Sequence, residues 1–320
     1  MVPADLTCYL AIDGARKDPE SSVFERDDCS RDSGGPQWLS SRSLTTSPAH
    51  PKSCQYDRVI SGRLAGAYIH VFVDPCAENF VTERFVRQRG LYFESENSIR
   101  VRLADGTLIS TLGTSVLPWQ VRGENGHSLI QFHVIPTHYS HYPAIAGGAY
   151  LWESGTLTVH SHRLRLKPRK GSNLQVHFQG RGHLRLEGTC EETKAVIFPD
   201  LASDIPAMST DFAYRIGKDV DTSPSGRICL KMPGGRQTMT RGRVTDVKVQ
   251  LSEDIYHQTF YLIDGLPGDI LLDAAFLTRT DAFTKHQSLI SVTAPKQDED
   301  DECLFLNVFE DSSYQARVNG

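Results

Sequence analysis

Short apolar runs separated by turn residues fill most of the chain from Tyr56 onward. They are rich in β-branched and aromatic residues, which favour strands, and several alternate between apolar and polar positions. The clearest runs lie within residues 58–167 and read RVISGRL, AYIHVFV, SIRVRLADGTLIST, SLIQFHVI, TLTVHS and HRLRLK. The pattern predicts an all-β protein built from many short strands.

Two segments have a helical pattern instead, ENFVTERFVRQRG at 78–90 and MSTDFAYRIGK at 208–218. A glycine near the end of each, Gly90 and Gly217, can adopt the left-handed conformation that caps a helix. Residues 1–55 are dominated by Ser, Asp, Arg, Pro and Gly and show no sustained period. We expect them to form a disordered arm.

The strand-rich region contains an internal repeat. Asp74 in VFVDPCAENF corresponds to Asp200 in VIFPDLASDI, 126 residues later, and each aspartate follows an apolar run. Further pairs occur in the same order at offsets of 125 to 129 residues: Gly90 with Gly217, Gly106 with Gly235, Gly113 with Gly242, Phe132 with Phe260, and Ile145 with Ile270. Two copies of one unit are therefore predicted, as domains at 56–168 and 169–294.

The last part of the chain, 295–320, combines an acidic run, QDEDDE, with an apolar run, CLFLNVF. We predict an acidic linker followed by a C-terminal strand. The strand could cover an edge of the second domain, or it could pair with a second copy of the chain to form a homodimer.

Charge and cysteine content narrow the classes of partner. The net charge of -5 and the pI of about 6.2 provide no basic surface for a phosphate backbone, so nucleic-acid binding is not expected. The seven cysteines are widely spaced and form no CxxC pair, so we expect reduced thiols, no metal site and no cofactor. An apolar run long enough to span a membrane is missing from the sequence, and the first residues do not resemble a signal peptide. A cytoplasmic location is expected.

The two aspartates of the repeat suggest a pair of carboxyl groups that activates water. Two carboxylates a few ångströms apart cannot both ionise cheaply, so they share one proton and can together activate a water molecule. Such a pair is most simply built when two copies of one fold each contribute one acid, and it then titrates as a unit. Asp74 and Asp200 are the candidate pair.

The order of elements in each half, over roughly residues 57–293, resembles the retropepsin-like family of aspartic proteases. Each half has an apolar strand ending in an Asp triplet, a polar helical turn, a glycine-containing hairpin, an F-x-V/L-I strand and a closing apolar segment. The resemblance implies two acid-protease-like barrels about an approximate two-fold axis, an intramolecular pseudo-dimer with a substrate cleft between them. It implies Asp74 and Asp200 as the catalytic dyad. The candidate substrate-binding residues, in the aspartate loops and in two hairpins that would roof the cleft, are Cys76, Ala77, Ala202, Ser203, Asp105, Gly106, Gly234 and Gly235.

The triplets depart from the family pattern, Asp-Thr-Gly or Asp-Ser-Gly. The chain has Asp74–Cys76 and Asp200–Ala202, where Pro75 and Leu201 lack the hydroxyl that bonds across the axis in the family. The third position of each triplet adds a Cβ where the family has glycine. The closing segment of the second half ends in Asp273 instead of glycine. Removing one preorganised hydrogen-bonding group typically costs about 10² to 10³ in rate.

These departures favour a catalytically degenerate module that binds an extended peptide or protein segment in the cleft. The alternative is an active aspartic endopeptidase, because both carboxylates are kept. A third arrangement, in which each half dimerises with another chain, also remains open at this stage.

Overall fold

The computed structural model describes residues 56–169, 173–176, 179–180 and 184–292. The predicted disordered arm at 1–55 and the predicted linker and strand at 295–320 lie outside these residues. Within them the chain is mostly β, with a few short helices, and it forms two closed barrels. This confirms the expected all-β fold of two tandem barrels.

The first barrel is closed by six strands in the order β1-β2-β8-β3-β7-β6, with β1 pairing again to β6, and β9 extends the sheet beside β1. The strands of this half are β1 Tyr56–Leu64, β2 Ala67–Asp74, β3 Phe80–Thr82, β4 Arg100–Leu103, β5 Leu108–Ser110, β6 Gly113–Val121, β7 Ser128–Ile135, β8 Ala144–Gly147 and β9 Leu164–Pro168. Strands β4 and β5 form a separate hairpin, here called the first hairpin, to which β10 (Gln179–Gly180) adds a third strand.

The second barrel repeats this order as β11-β12-β18-β13-β17-β16, closed by the pairing of β11 with β16, and β19 extends the sheet beside β11. Its strands are β11 Leu184–Cys190, β12 Thr193–Pro199, β13 Ala207–Ser209, β14 Cys229–Lys231, β15 Gln237–Met239, β16 Arg243–Leu251, β17 Asp254–Ile263, β18 Ile270–Leu272 and β19 Ile290–Val292. Strands β14 and β15 form the second hairpin.

Equivalent residues of the two barrels can be read from strand register. In the first barrel Phe72 lies opposite Ile145, and in the second Phe198 lies opposite Leu271. The partner of Ile145 in the repeat is therefore Leu271, and the expected pairing with Ile270 is wrong by one residue. The shift matters because neighbouring strand residues point to opposite faces of a sheet.

The described residues contain five short α-helices, of which the first four follow strands and the fifth follows α4: α1 Glu83–Gln88, α2 Gly148–Glu153, α3 Thr210–Arg215, α4 Ala274–Arg279 and α5 Ala282–Lys285. Helices α1 and α3 lie in the two predicted helical segments. Thr82 and Ser209 cap them by accepting a hydrogen bond from the backbone N–H three residues on. Gly90 and Gly217 follow with φ of 61° and 66°, as expected for glycines that end a helix.

The run TLTVHS, residues 156–161, was expected to form a strand but contains turns and the start of a 3₁₀ helix. The turns begin after α2, where Gly155 has a φ of 65° and reverses the chain. Leu157 is buried whereas Val159 is 77% exposed, so the alternation in this run reflects the two sides of a turn. In the part of the chain that the structure describes, no helix is long and apolar enough to cross a membrane.

Candidate functional site

The two aspartates of the repeat meet between the barrels. Asp74 ends β2, Asp200 directly follows β12, and both are fully buried. A carboxylate oxygen of each and the sulfur of Cys76 all lie within 4.8 Å of one another. The structure thus brings together the acids of the two halves in a single chain.

The backbone holds both acids in the same way. The N–H of Cys76 donates to Oδ1 of Asp74 at 2.9 Å, and the N–H of Ala202 donates to Oδ1 of Asp200 at 2.7 Å. The second oxygens differ, because the Ser203 hydroxyl donates to Oδ2 of Asp200, whereas Oδ2 of Asp74 has no hydrogen-bond partner among the described residues. The unpaired oxygen of Asp74 is therefore the natural place for a proton shared with Asp200.

The electrostatic environment favours a proton on the aspartate pair. Burial, and then the nearby charge of Asp200, raise the pKa of Asp74 well above its ordinary value. Burial also raises the pKa of Asp200, against hydrogen bonds from Ser203 and Ala202 that lower it. Two buried carboxyl groups at this separation hold one proton at neutral pH, since ionising both would place like charges side by side out of water.

Cys76 contributes a third potential ligand atom to the cluster, which the sequence did not predict as a metal site. Burial and the two acids raise the pKa of its thiol well above the ordinary value. Nucleophilic attack requires the thiolate, which this environment disfavours. We therefore interpret Cys76 as a neutral packing residue beside a proton-sharing pair.

The aspartate loops also accept hydrogen bonds from the first residues of the helices that follow β8 and β18. In the first barrel the N–H of Gly148 donates to the carbonyl of Ala77 at 3.0 Å, and in the second the N–H of Ala274 donates to the carbonyl of Ser203 at 3.2 Å. Asp273 replaces the glycine of the first half, and its side chain caps α4. Burial raises the pKa of Asp273 to about 6.

The tip of each hairpin lies close to a residue of the other half. A Cβ at Gly106 in the first hairpin would lie 3.1 Å from the carbonyl oxygen of Gly265 in the second barrel. A Cβ at Gly234 in the second hairpin would lie 3.2 Å from the ring of Tyr139 in the first barrel. Each hairpin tip therefore rests on the opposite barrel. Gly235, with a φ of 80°, closes the turn of the second hairpin.

The hairpins also contact each other. The guanidinium of Arg236 pairs with the carboxylate of Asp105, and it donates to the hydroxyl of Thr107 at 2.9 Å. Beside this contact, a groove of about 810 Å³ runs past Gly234 and Gly235. Of the predicted binding residues, Gly234 and Gly235 line this groove, whereas Asp105, Gly106 and the residues of the aspartate loops do not.

A segment that the sequence did not single out pairs with both hairpins. We call residues 173–176 and 179–180 the cleft segment. On one side the N–H of Lys231 in β14 donates to the carbonyl of Leu174 at 2.9 Å, and the N–H of Val176 donates to the carbonyl of Lys231 at 3.4 Å. On the other side β10 pairs antiparallel with β4, with Gly180 opposite Arg102.

The two aspartate loops contact the same segment. Asp204 and Gln175 exchange two hydrogen bonds, from the N–H of Gln175 to Oδ2 of Asp204 at 2.8 Å and from the N–H of Asp204 to the carbonyl of Gln175 at 2.9 Å. A Cβ at Gly180 would lie 2.5 Å from the carbonyl oxygen of Cys76. The cleft segment therefore pairs with both hairpins and contacts both aspartate loops.

Asp204 belongs to a buried ion triad that joins the barrels. Arg169 donates from Nε to Asp57 at 2.6 Å and from Nη1 to Asp204 at 2.6 Å, and all three side chains are at most 5% exposed. Asp204 lies four residues after Asp200, as Glu78 does after Asp74. The repeat could therefore have pointed to the acidic residue at position 204. Arg169 has no equivalent in the repeat, so the sequence could not have predicted the ion triad.

Comparison with solved structures matches the retroviral protease-like domain of Ddi1 from Leishmania major. The TM-score is 0.27 and the sequence identity is 17%, and the match covers 36% of this chain and 97% of that domain. No protein-family model matches the chain, and no curated protein sequence matches it significantly. A likeness of this degree transfers neither activity nor ligand.

Proposed function

We propose that this chain is a retropepsin-like protein whose cleft binds an extended peptide or protein segment by strand addition, without efficient hydrolysis. The observation that supports binding most strongly is that both hairpins already pair with a strand in the cleft, at Lys231 and at Arg102. Strand addition uses backbone hydrogen bonds for affinity and side-chain pockets for selectivity.

The aspartate loops support slow or absent turnover. Pro75 and Leu201 carry no hydroxyl to fix the relative orientation of the two carboxylates, and Oδ2 of Asp74 has no donor among the described residues. Losing one preorganised group typically costs about 10² to 10³ in rate, and here several are missing together.

The predicted cytoplasmic location and the homodimer through residues 303–309 stay predictions.

A second candidate function is aspartic endopeptidase activity with Asp74 and Asp200 as the dyad. The specific observation in its favour is the convergence of two fully buried carboxyl groups, each with a raised pKa. One ionised and one protonated carboxyl is the state in which such a pair can take a proton from water and give one to a substrate.

A random peptide library separates the two candidates when it is incubated with purified protein at acidic and neutral pH. The proposal predicts retained peptides and no new termini by mass spectrometry, with the same result for Asp74→Asn. Cleavage that stops in Asp74→Asn and with a pepstatin-type inhibitor would establish the endopeptidase instead. Peptides that are neither retained nor cut would contradict both functions.

A loop-restored variant provides the positive control. Pro75→Thr and Cys76→Gly in the first loop, with Leu201→Thr and Ala202→Gly in the second, re-create the triplet of the family. If missing loop groups limit turnover, this variant gains cleavage that the wild type lacks. The same loops carrying Asp200→Asn should stay inactive.

A further inference from the structure

The cleft segment crosses the space between the barrels in the manner of a bound peptide. Arg102 and Lys231 occupy equivalent positions in the two hairpins, 129 residues apart, the same offset as between Gly106 and Gly235. The chain runs parallel to β14 at Lys231 and antiparallel to β4 at Arg102.

This change of direction has a geometric cause. A strand that crosses a two-fold axis must run parallel to one of two symmetry-related strands and antiparallel to the other. Gln175 and Gly180 pair with the two equivalent hairpin positions, as expected for a segment that crosses the axis. The same axis relates the two aspartate loops.

We propose that the cleft segment is a built-in peptide ligand, and that a free peptide binds only by displacing it. The inference rests on the proposed peptide-binding function and adds the class of ligand and its regulation. Because the segment is tethered to the barrels, its effective concentration is of the order of millimolar, and a free peptide must compete with it.

The side chains of the segment define the ligand class. Val176 is fully buried and belongs to the same apolar cluster as Leu230, Met232 and Cys76. Four residues later the backbone of Gly180 approaches the first aspartate loop so closely that a Cβ would collide with it. The preferred ligand is therefore an extended peptide with a β-branched aliphatic residue and a glycine four positions further on.

Gly180→Val tests the proposal by expelling the tethered segment. The probe is a fluorescent peptide with the sequence of residues 173–180, NLQVHFQG, and the readout is anisotropy. Gly126→Val is the matched control, since a Cβ at Gly126 meets no atom within 4 Å. We expect Gly180→Val to bind the peptide at least tenfold more tightly than wild type, and Gly126→Val to bind it like wild type.

The outcomes distinguish this inference from the function on which it rests. Equal, measurable affinity in all three proteins would overturn the built-in ligand and leave peptide binding intact. Binding by none of them would contradict peptide binding itself.

Hydrogen exchange of the wild-type protein tests the same point without a variant. The amides of Gln175 and Val176 donate to Asp204 and Lys231, so they should exchange slowly, and excess peptide should accelerate them. Exchange of these amides at the rate of an unstructured chain would overturn the inference.

Discussion

Arg169 is the counter-charge of two buried carboxylates that come from different barrels. We predict that Arg169→Leu destabilises the protein by about 3 to 5 kcal/mol, because removing one partner of a buried ion pair leaves charge without compensation. Here two carboxylates, Asp57 and Asp204, lose their partner at once. The upper part of that range is therefore expected at neutral pH.

The pH dependence of the free energy of unfolding provides a second magnitude, the contribution of Asp57. Burial raises the pKa of Asp57, but interactions with His141, Arg169 and Tyr142 outweigh it and lower the pKa from 3.8 to about 2. The difference corresponds to roughly 2.4 kcal/mol at about 1.36 kcal/mol per pKa unit. Because the folded pKa is depressed, this stability is present above about pH 4 and is lost as the pH falls from about 4 to 2. The variant should show a smaller acid-sensitive loss of stability, because the contacts of Asp57 with His141 and Tyr142 remain.

Urea unfolding followed by tryptophan fluorescence, at pH 7 and through the acid range, measures both effects. Arg87→Leu is the control, because Arg87 pairs with Glu83 on the surface with 68% of its side chain exposed. Such exposed pairs contribute about 0.3 to 0.5 kcal/mol. Equal losses below about 1 kcal/mol in Arg169→Leu and Arg87→Leu would refute the reasoning.

Three other predictions concern single groups. The raised pKa of Asp273 favours its protonated form in the folded state, so stability should rise as the pH falls from about 6 to 4; the rise should be smaller in unfolding titrations of Asp273→Asn, where the aspartate pair still contributes. Gly147→Ala should lower the unfolding midpoint, since its Cβ would collide with the first aspartate loop, whereas Gly126→Ala should not. In native maleimide labelling with peptide mapping, exposed Cys229 should react quickly and buried Cys76 slowly; equal rates would contradict the burial of Cys76.

Some of the site could be predicted because its signals are local. Asp74 and Asp200 each follow an apolar strand, and a fixed offset relates them. The turn glycines Gly106 and Gly235 follow the same repeat, because both adopt positive φ values that side chains disfavour. Because the unit is duplicated, the acid pair and the hairpins could be predicted from the sequence alone.

Other features could not be predicted from any short stretch of the sequence. Residues 270–272 read Ile-Leu-Leu, so apolar alternation could not distinguish the residue that lies opposite Phe198, and the register was missed by one. The run at 156–161 alternates like a strand, but the turn at Gly155 overrides that preference. The cleft segment pairs with residues far along the chain, including Arg102, and its own composition gives no sign of this.

A proton shared by Asp74 and Asp200 is the claim on which the proposed site depends most. Infrared difference spectroscopy of protein with isotope-labelled aspartate carboxyl groups measures it directly, with the double variant Asp74→Asn/Asp200→Asn as the reference. We predict one protonated carboxyl band at pH 7 that the double variant lacks. Two ionised carboxylates at pH 7, with no such band, would contradict a buried, coupled acid pair between the barrels.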